Sequence, residues 1–150
     1  MQTRCVHQIA GPQGLAIDSS GNLFVANGLN SNIIKITPAG HKSVFSAGGA
    51  VKDPRALVCD HHDTLYITNT AGSDIFVADP GGKVSSLFGK APTAWGVQHL
   101  WGVAVDKDGA LFVTDWDNAR VISVGCNDDA EATPAPKVSV APSKQPTATA

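Results

Sequence analysis

The chain has 150 residues, the size of one ordinary domain and enough to bury a core. Charged residues are only 16% of it and the formal net charge is −2, which argues against binding nucleic acid or an anionic membrane through overall charge. No apolar run approaches the roughly 18–20 residues that a membrane helix needs, and the opening Met1-Gln2-Thr3-Arg4-Cys5-Val6-His7 lacks the apolar stretch of a secretory signal. No membrane association is expected, and the compartment stays unassigned. Cys5, Cys59 and Cys126 are far apart and odd in number, which fits neither a disulfide scaffold nor a paired zinc motif. Each is expected to fill apolar space as a buried thiol.

Along the chain, residues 3–10 (TRCVHQIA) read as an orphan outer strand. A unit then begins that occurs three times: GLAIDSSGNLFVANGLNSNIIKI from Gly14, ALVCDHHDTLYITNTAGSDIFVA from Ala56 and GVAVDKDGALFVTDWDNARVISV from Gly102. The matched acids Asp18, Asp60 and Asp106 recur 42 and then 46 residues apart, and the excess falls in the linker 91–100, where an insertion costs little. Asn27, Asn69 and Asp115 follow the matched acid by nine residues in every copy, and Ile33, Ile75 and Val121 come six residues later. Within a copy, GLAID, NLFVAN and IIKIT are short β-branched and aromatic runs bounded by turn residues. Ser19-Ser20-Gly21-Asn22 and Lys107-Asp108-Gly109-Ala110 carry Gly where positive φ is wanted, and the middle copy has His61-His62-Asp63-Thr64 instead. A second turn, Pro38-Ala39-Gly40-His41, matches Asp79-Pro80-Gly81-Gly82, and fourth strands are predicted over 42–46 and 83–88. The third copy has strands one to three and then meets a segment, 127–150, almost entirely of Ala, Pro, Thr, Ser, Lys and acidic residues, with no Leu, Ile or aromatic. Such a segment cannot offset its ordering entropy, so a disordered tail is expected. Four short antiparallel strands in each unit of roughly 42 residues describe a propeller blade. The expectation is an all-β fold with a folded unit over 1–126, in blades of about 11–50, 51–92 and 93–126.

The pattern Pro-x-Gly-(apolar)-Ala-(apolar)-Asp-x-x-Gly-x-Leu-(Phe/Tyr)-Val-x-Asn/Asp, seen at 12–27 and 101–115, resembles the NHL repeat. GVAVDKDGALFVTDWDNARVI, from Gly102 to Ile122, fits it best; the middle copy departs most, with Arg55-Ala56 for x-Gly and His62-Asp63 for the turn. The resemblance covers about 11–126. It implies a β-propeller, usually six-bladed, in a family that includes RNA- and protein-binding domains, sensor domains of bacterial Ser/Thr kinases, and related lactonases and lyases.

Three blades cannot close a ring, since propellers have about four to eight. The chain therefore reads as part of a longer propeller or, alternatively, as half of a head-to-tail dimer in which each orphan strand completes the partner's third blade.

By the resemblance, residues ahead of strand one and after strand two share the face where ligands bind. Its candidates are Gln13, Arg55 and Trp101 ahead of strand one, Asn27, Asn69 and Asp115 closing strand two, Asn30, Trp116 and Arg120 in the following loop, and His99. Gln13, Arg55 and Trp101 differ between copies, as a shared structural role does not require. Asn27, Asn69 and Asp115 recur, which suits loop capping as well as binding. Trp95, Trp101 and Trp116 are able to form an aromatic surface with Arg55 and Arg120, or to pack between blades. His61-His62 lies in a hairpin turn and His99 has no identifiable second ligand, so no metal or other cofactor is expected.

The expected function is a binding or scaffold module for a protein or small ligand. A fragment of a gluconolactonase- or lyase-type enzyme is the alternative, weakened because Gln13, Arg55 and Trp101 offer no carboxylate to a hard cation. The chain's one Glu, Glu131, lies in the tail, and no Gly-x-Ser-x-Gly is present. Only Asp115, Asp117 and His99 are placed for acid–base work, so no complete catalytic constellation is read. RNA binding ranks third. The body carries nine basic and ten acidic residues, far from the strongly basic footprint it needs.

Overall fold

The three sequence units become three four-stranded antiparallel sheets. The structure, a computed structural model, describes residues 9–47, 51–71, 74–87, 96–124 and 138–140. Blade 1 comprises β1 (Pro12–Ile17), β2 (Leu23–Asn27), β3 (Asn32–Ile36) and β4 (Lys42–Ala47), paired in that order. Blade 2 repeats the arrangement with β5 (Pro54–Cys59), β6 (Leu65–Asn69), β7 (Asp74–Ala78) and β8 (Val84–Ser86). Blade 3 contains β9 (Leu100–Val105), β10 (Leu111–Asp115), β11 (Arg120–Val124) and β12 (Val138–Val140). Among the described residues there is no α-helix, only a 3-10 turn at Gly28–Asn30.

Two readings of the termini change. Val138–Val140, within the segment expected to be a tail, pairs with β11 as the fourth strand of blade 3. Val-Ser-Val is a β-branched alternating run, enough to extend an exposed strand edge despite the polar composition around it. Ile9 and Ala10, the end of the expected orphan strand, are not in a strand. The Ala10 N–H is instead donated to the Asn27 side chain at 2.6 Å. Residues 1–8 of that reading, and the rest of 127–150, lie outside the described residues.

The turns follow the local chemistry expected of them. Gly21, Asp63 and Gly109 all take left-handed φ, at 76°, 61° and 83°. The side chains of Asp18, Asp60 and Asp106 accept the N–H of Asn22, Thr64 and Ala110 at 2.8, 2.9 and 2.9 Å. The middle copy's departure from Gly has a consequence of its own. The Asp63 carboxylate accepts the Ser19 N–H at 2.7 Å and its hydroxyl at 2.6 Å, tying the turn of blade 2 to that of blade 1. These bonds, the hydroxyl first, hold Asp63 below the usual carboxylate range. In the second turn, Gly40 and Gly82 occupy the same place, with φ of 85° and 87°, one residue out of the match drawn from the sequence.

Each first strand carries one extra residue. Register slips between Pro12 and Leu15 and between Pro54 and Leu57, and on β9 two residues, Trp101 and Gly102, oppose the single Thr114 on β10. Gln13, Arg55 and Trp101 sit in these bulges, a device that re-aims side chains at sheet rims. Threonine hydroxyls fill two of the gaps. Thr68 Oγ1 accepts the Ala56 N–H at 2.9 Å and donates to the Trp101 carbonyl at 2.9 Å; Thr114 Oγ1 accepts the Gly102 N–H at 2.7 Å.

First strands pack against first strands, β1 on β5 and β5 on β9, so they line the axis and the fourth strands lie outermost. The approach is close. A Cβ on Gly14 would stand 2.6 Å from the Arg55 carbonyl oxygen. Apolar side chains fill each junction, with Phe24, Ile33, Leu57 and Ile67 between blades 1 and 2, and Ile75, Leu100, Val113 and Ile122 between blades 2 and 3. Cys59 packs at the edge of the first of these cores and is half-buried rather than fully buried as expected. Burial, with Asp18, Asp63 and Asp60 nearby, pushes its thiol up to about 11. Cys5 and Cys126 lie outside the described residues.

Thr68 is fully buried and bridges two blades, whereas Thr114 makes the same bulge bond on an exposed face. Thr68→Val is expected to destabilise by about 1–3 kcal/mol, the usual penalty for orphaning buried groups. Thr114→Val should cost clearly less. Urea unfolding of both variants checks the difference. The raised thiol predicts that, with Cys5 and Cys126 replaced by Ser, Cys59 alkylates slowly at pH 8 in the folded chain and much faster in urea. Iodoacetamide labelling followed by mass spectrometry reads this.

Candidate functional site

The ends of the second strands are built on one recurring clamp. Asn27, Asn69 and Asp115 are buried, and their Oδ1 atoms accept the N–H of Ala10, Lys52 and Gln98 at 2.6, 2.6 and 3.1 Å. Each thus pins the loop that leads into its own blade. The next residue repeats the symmetry in backbone: Gly28, Thr70 and Trp116 donate N–H to the carbonyls of Gly11, Asp53 and His99 at 3.0, 3.3 and 3.2 Å. Gly11, Asp53 and His99 all have left-handed φ, at 61°, 52° and 45°. Of the two readings the sequence allowed for Asn27, Asn69 and Asp115, this geometry is the capping one.

The third blade elaborates its clamp. The Asp115 carboxylate, fully buried, receives Arg120 Nε at 2.8 Å and Asn118 Nδ2 at 2.9 Å. Asn118 Nδ2 is also 2.6 Å from the Gly96 carbonyl. Arg120 is therefore engaged by Asp115. Asn118 and Asp53 are participants that sequence reasoning did not single out. The signal for Asp53 was the repeat position it shares with Gly11, one that demands left-handed φ.

Above this clamp lies an aromatic and cationic cluster. Trp101, 39% exposed, stacks on Trp116, 64% exposed, with ring centroids 4.9 Å apart and planes 19° from parallel. The Arg55 Cζ lies 4.3 Å from the Trp101 ring centroid, within cation–π range. Its Nε is buried and makes no hydrogen bond among the described residues, and the guanidinium lies on the indole face. Arg55 and Trp101 come from neighbouring blades and meet because both bulges project at the same level.

Beside Trp116, His99 Nδ1 and Asp117 Oδ2 are 2.5 Å apart and exposed. Gln13 does not join the cluster through any bond of its own. Its Nε2 donates to Asp53 Oδ1 at 3.2 Å, across the blade 1–blade 2 boundary. Asn30 is exposed in the 3-10 turn, and Trp95 lies outside the described residues. His61 and His62 are exposed in their turn with ring centroids 3.8 Å apart. Among the described residues no three His, Cys, Asp or Glu side chains are grouped to hold a metal ion.

Asp115→Ala leaves the Gln98 N–H, Asn118 and Arg120 without their shared acceptor and is expected to cost about 2–4 kcal/mol. Trp116→Ala removes a largely exposed stacking partner and should cost about 1 kcal/mol. Chemical denaturation ranks the two variants.

The NHL repeat family model matches residues 98–122. No curated protein matches the sequence. Among solved structures, virginiamycin B lyase from Staphylococcus aureus is similar with a TM-score of 0.70 at 16% identity, over 89% of this chain and 42% of that one. The nidogen/laminin complex contains a chain similar at a TM-score of 0.67 and 20% identity, over 78% and 45%. A gluconolactonase from Xanthomonas campestris is similar at 0.65 and 16%, over 77% and 44%. This chain thus spans less than half the length of each. The chain carries an NHL repeat in its third blade and folds as three β-propeller blades of the same sheet order.

Proposed function

We propose that the chain is a binding or scaffold module that recognises a protein or small ligand on the loop face carrying Arg55, Trp101 and Trp116. One observation carries this reading, the Arg55–Trp101–Trp116 stack. Exposed indole surface is costly to leave in water and is typical of recognition sites. Here it is held on strand bulges and a buried clamp rather than on free loop, so a ligand meets a preformed surface and the cost of ordering it is small. Arg120 is ion-paired with Asp115, and Asp117 faces His99. The face therefore offers Arg55 as its cation with carboxylates close by, which suits a planar or aromatic group better than a polyanion.

A second reading, a piece of a propeller enzyme of the gluconolactonase or lyase type, draws support from the structural neighbours with those activities. The exposed His99–Asp117 pair is where its acid–base chemistry would sit.

Tryptophan fluorescence, screened against peptides and small aromatic metabolites, tests the first reading. Binding should shift or quench the signal. The double variant Arg55→Ala/Trp101→Ala should abolish it while leaving the β-sheet circular dichroism intact. Loss of folding in that variant would make these residues core and overturn the site. Hydrolysis of a simple lactone by the chain, lost in His99→Ala, would favour the second reading instead.

A further inference from the structure

Among the described residues, apolar side chains are exposed on the outer side of blade 3 and along the first strand of blade 1, and the repeat shows what each is shaped to meet. Phe24 and Phe112 are the same repeat position, as are Ile33, Ile75 and Val121. In blade 1 Phe24 is 4% exposed, and Ile33 and Ile75 are fully buried against the following blade, but in blade 3 Phe112 is 41% and Val121 45% exposed. The opposite face behaves in mirror fashion. Leu57 of blade 2 is 6% exposed against blade 1, while its counterpart Leu15 is 60% exposed, with Ile17 beside it at 64%. Val25, Ile34 and Ile36 on this side are buried, with Ile9 packed on them, so the open part of the face is the strip of Leu15 and Ile17. Ile9 holds the repeat position of Val51, which is buried in the junction of blades 1 and 2.

We propose that the free face of blade 3 docks on the free face of blade 1 in a second copy of this chain, and reciprocally, so that two copies close one ring. Blade 3 presents the residue set that blades 1 and 2 present to their successors, and blade 1 presents the set that blades 2 and 3 present to their predecessors. The surface that fits each open face is therefore the other open face of the same chain, the condition for head-to-tail association. A two-fold axis along the ring makes the two junctions identical and leaves no lateral face in water.

Polar detail agrees. Thr68 Oγ1 donates to the carbonyl of Trp101 in the following blade. Thr114, its counterpart in blade 3, has an exposed side chain, and the residue at the place of Trp101 in an incoming blade 1 is Gln13. Gly102 supplies the bare backbone that lets a first strand approach, with only Thr114 near its missing Cβ. The fourth place in blade 3 is held by β12, so the association rests on sheet faces rather than on exchange of residues 3–10.

Sedimentation equilibrium of the full 150-residue chain tests this. A species of twice the 15.5 kDa chain mass is expected, dissociating to monomer in both Phe112→Asp and Leu15→Asp while far-UV circular dichroism is retained. Mixing the two variants should restore a heterodimer, because each still carries the one good face the other lacks. A wild-type chain that stays monomeric at 100 µM, or that forms open-ended polymers, would overturn the proposal. So would a dimer that survives Leu15→Asp, since it would join blade 3 to blade 3. If Phe112→Asp fails to fold, Leu15→Asp, on the opposite and more exposed face, carries the test alone.

Discussion

Burial of each blade's two apolar sides against its neighbours is the constraint on which the rest depends. A four-stranded sheet of this size has no core of its own, and its side chains become interior only when a second sheet covers them. Moving a Phe or Ile from water into such a junction is worth about 1.5–3 kcal/mol. Two junctions filled by Phe24, Ile33, Leu57 and Ile67, and by Ile75, Leu100, Val113 and Ile122, are therefore the main source of stability. The same packing brings the first strands together and places the bulges of β5 and β9 side by side, which is why residues 46 positions apart can stack.

Polar groups in this fold do a different job, and they do it in layers. At one end of the blades Asp18, Asp60 and Asp106 close the hairpins by accepting backbone N–H groups that the turn leaves over. At the other end Asn27, Asn69 and Asp115 hold the entry loops from inside. One turn and the second strand, a step of nine positions, separate the two sets, which explains why the spacing is kept while the intervening sequence drifts. Where blade 3 replaces Asn with Asp, a buried carboxylate needs compensation, and Arg120 and Asn118 supply it.

What could be read from residues alone follows from this layering. Turn acids, positive-φ positions and apolar alternation are local, so the blade count and the places of Gly21, Asp63 and Gly109 were legible. The bulges were not. A bulge is a property of two strands in register, and nothing in Gln13-Gly14 or Trp101-Gly102 by itself says that one residue goes unpaired. For the same reason β12 is not legible, since three residues, Val138-Ser139-Val140, are too short a run to stand out in a Pro- and Ala-rich segment until β11 offers an edge. His99 reads as a site candidate because its loop leads into the face expected to bind. Its place in the repeat, shared with Gly11 and Asp53, gives its backbone a turn to make whatever its side chain does.

The division of labour between layers also explains where the loop face can vary. Gln13, Arg55 and Trp101 share a backbone geometry set by Thr68 and Thr114 hydroxyls or, beside Gln13, by close packing of Gly14 against β5. None of their side chains is needed to form the bulge. A position whose conformation is fixed by its neighbours is free to carry any side chain, and three adjacent blades here use that freedom three ways. Gln13 bonds to Asp53, Arg55 lies over Trp101, and Trp101 spreads on Trp116. Chemical variety on a rigid, bulged rim is the property on which the proposed contact surface rests.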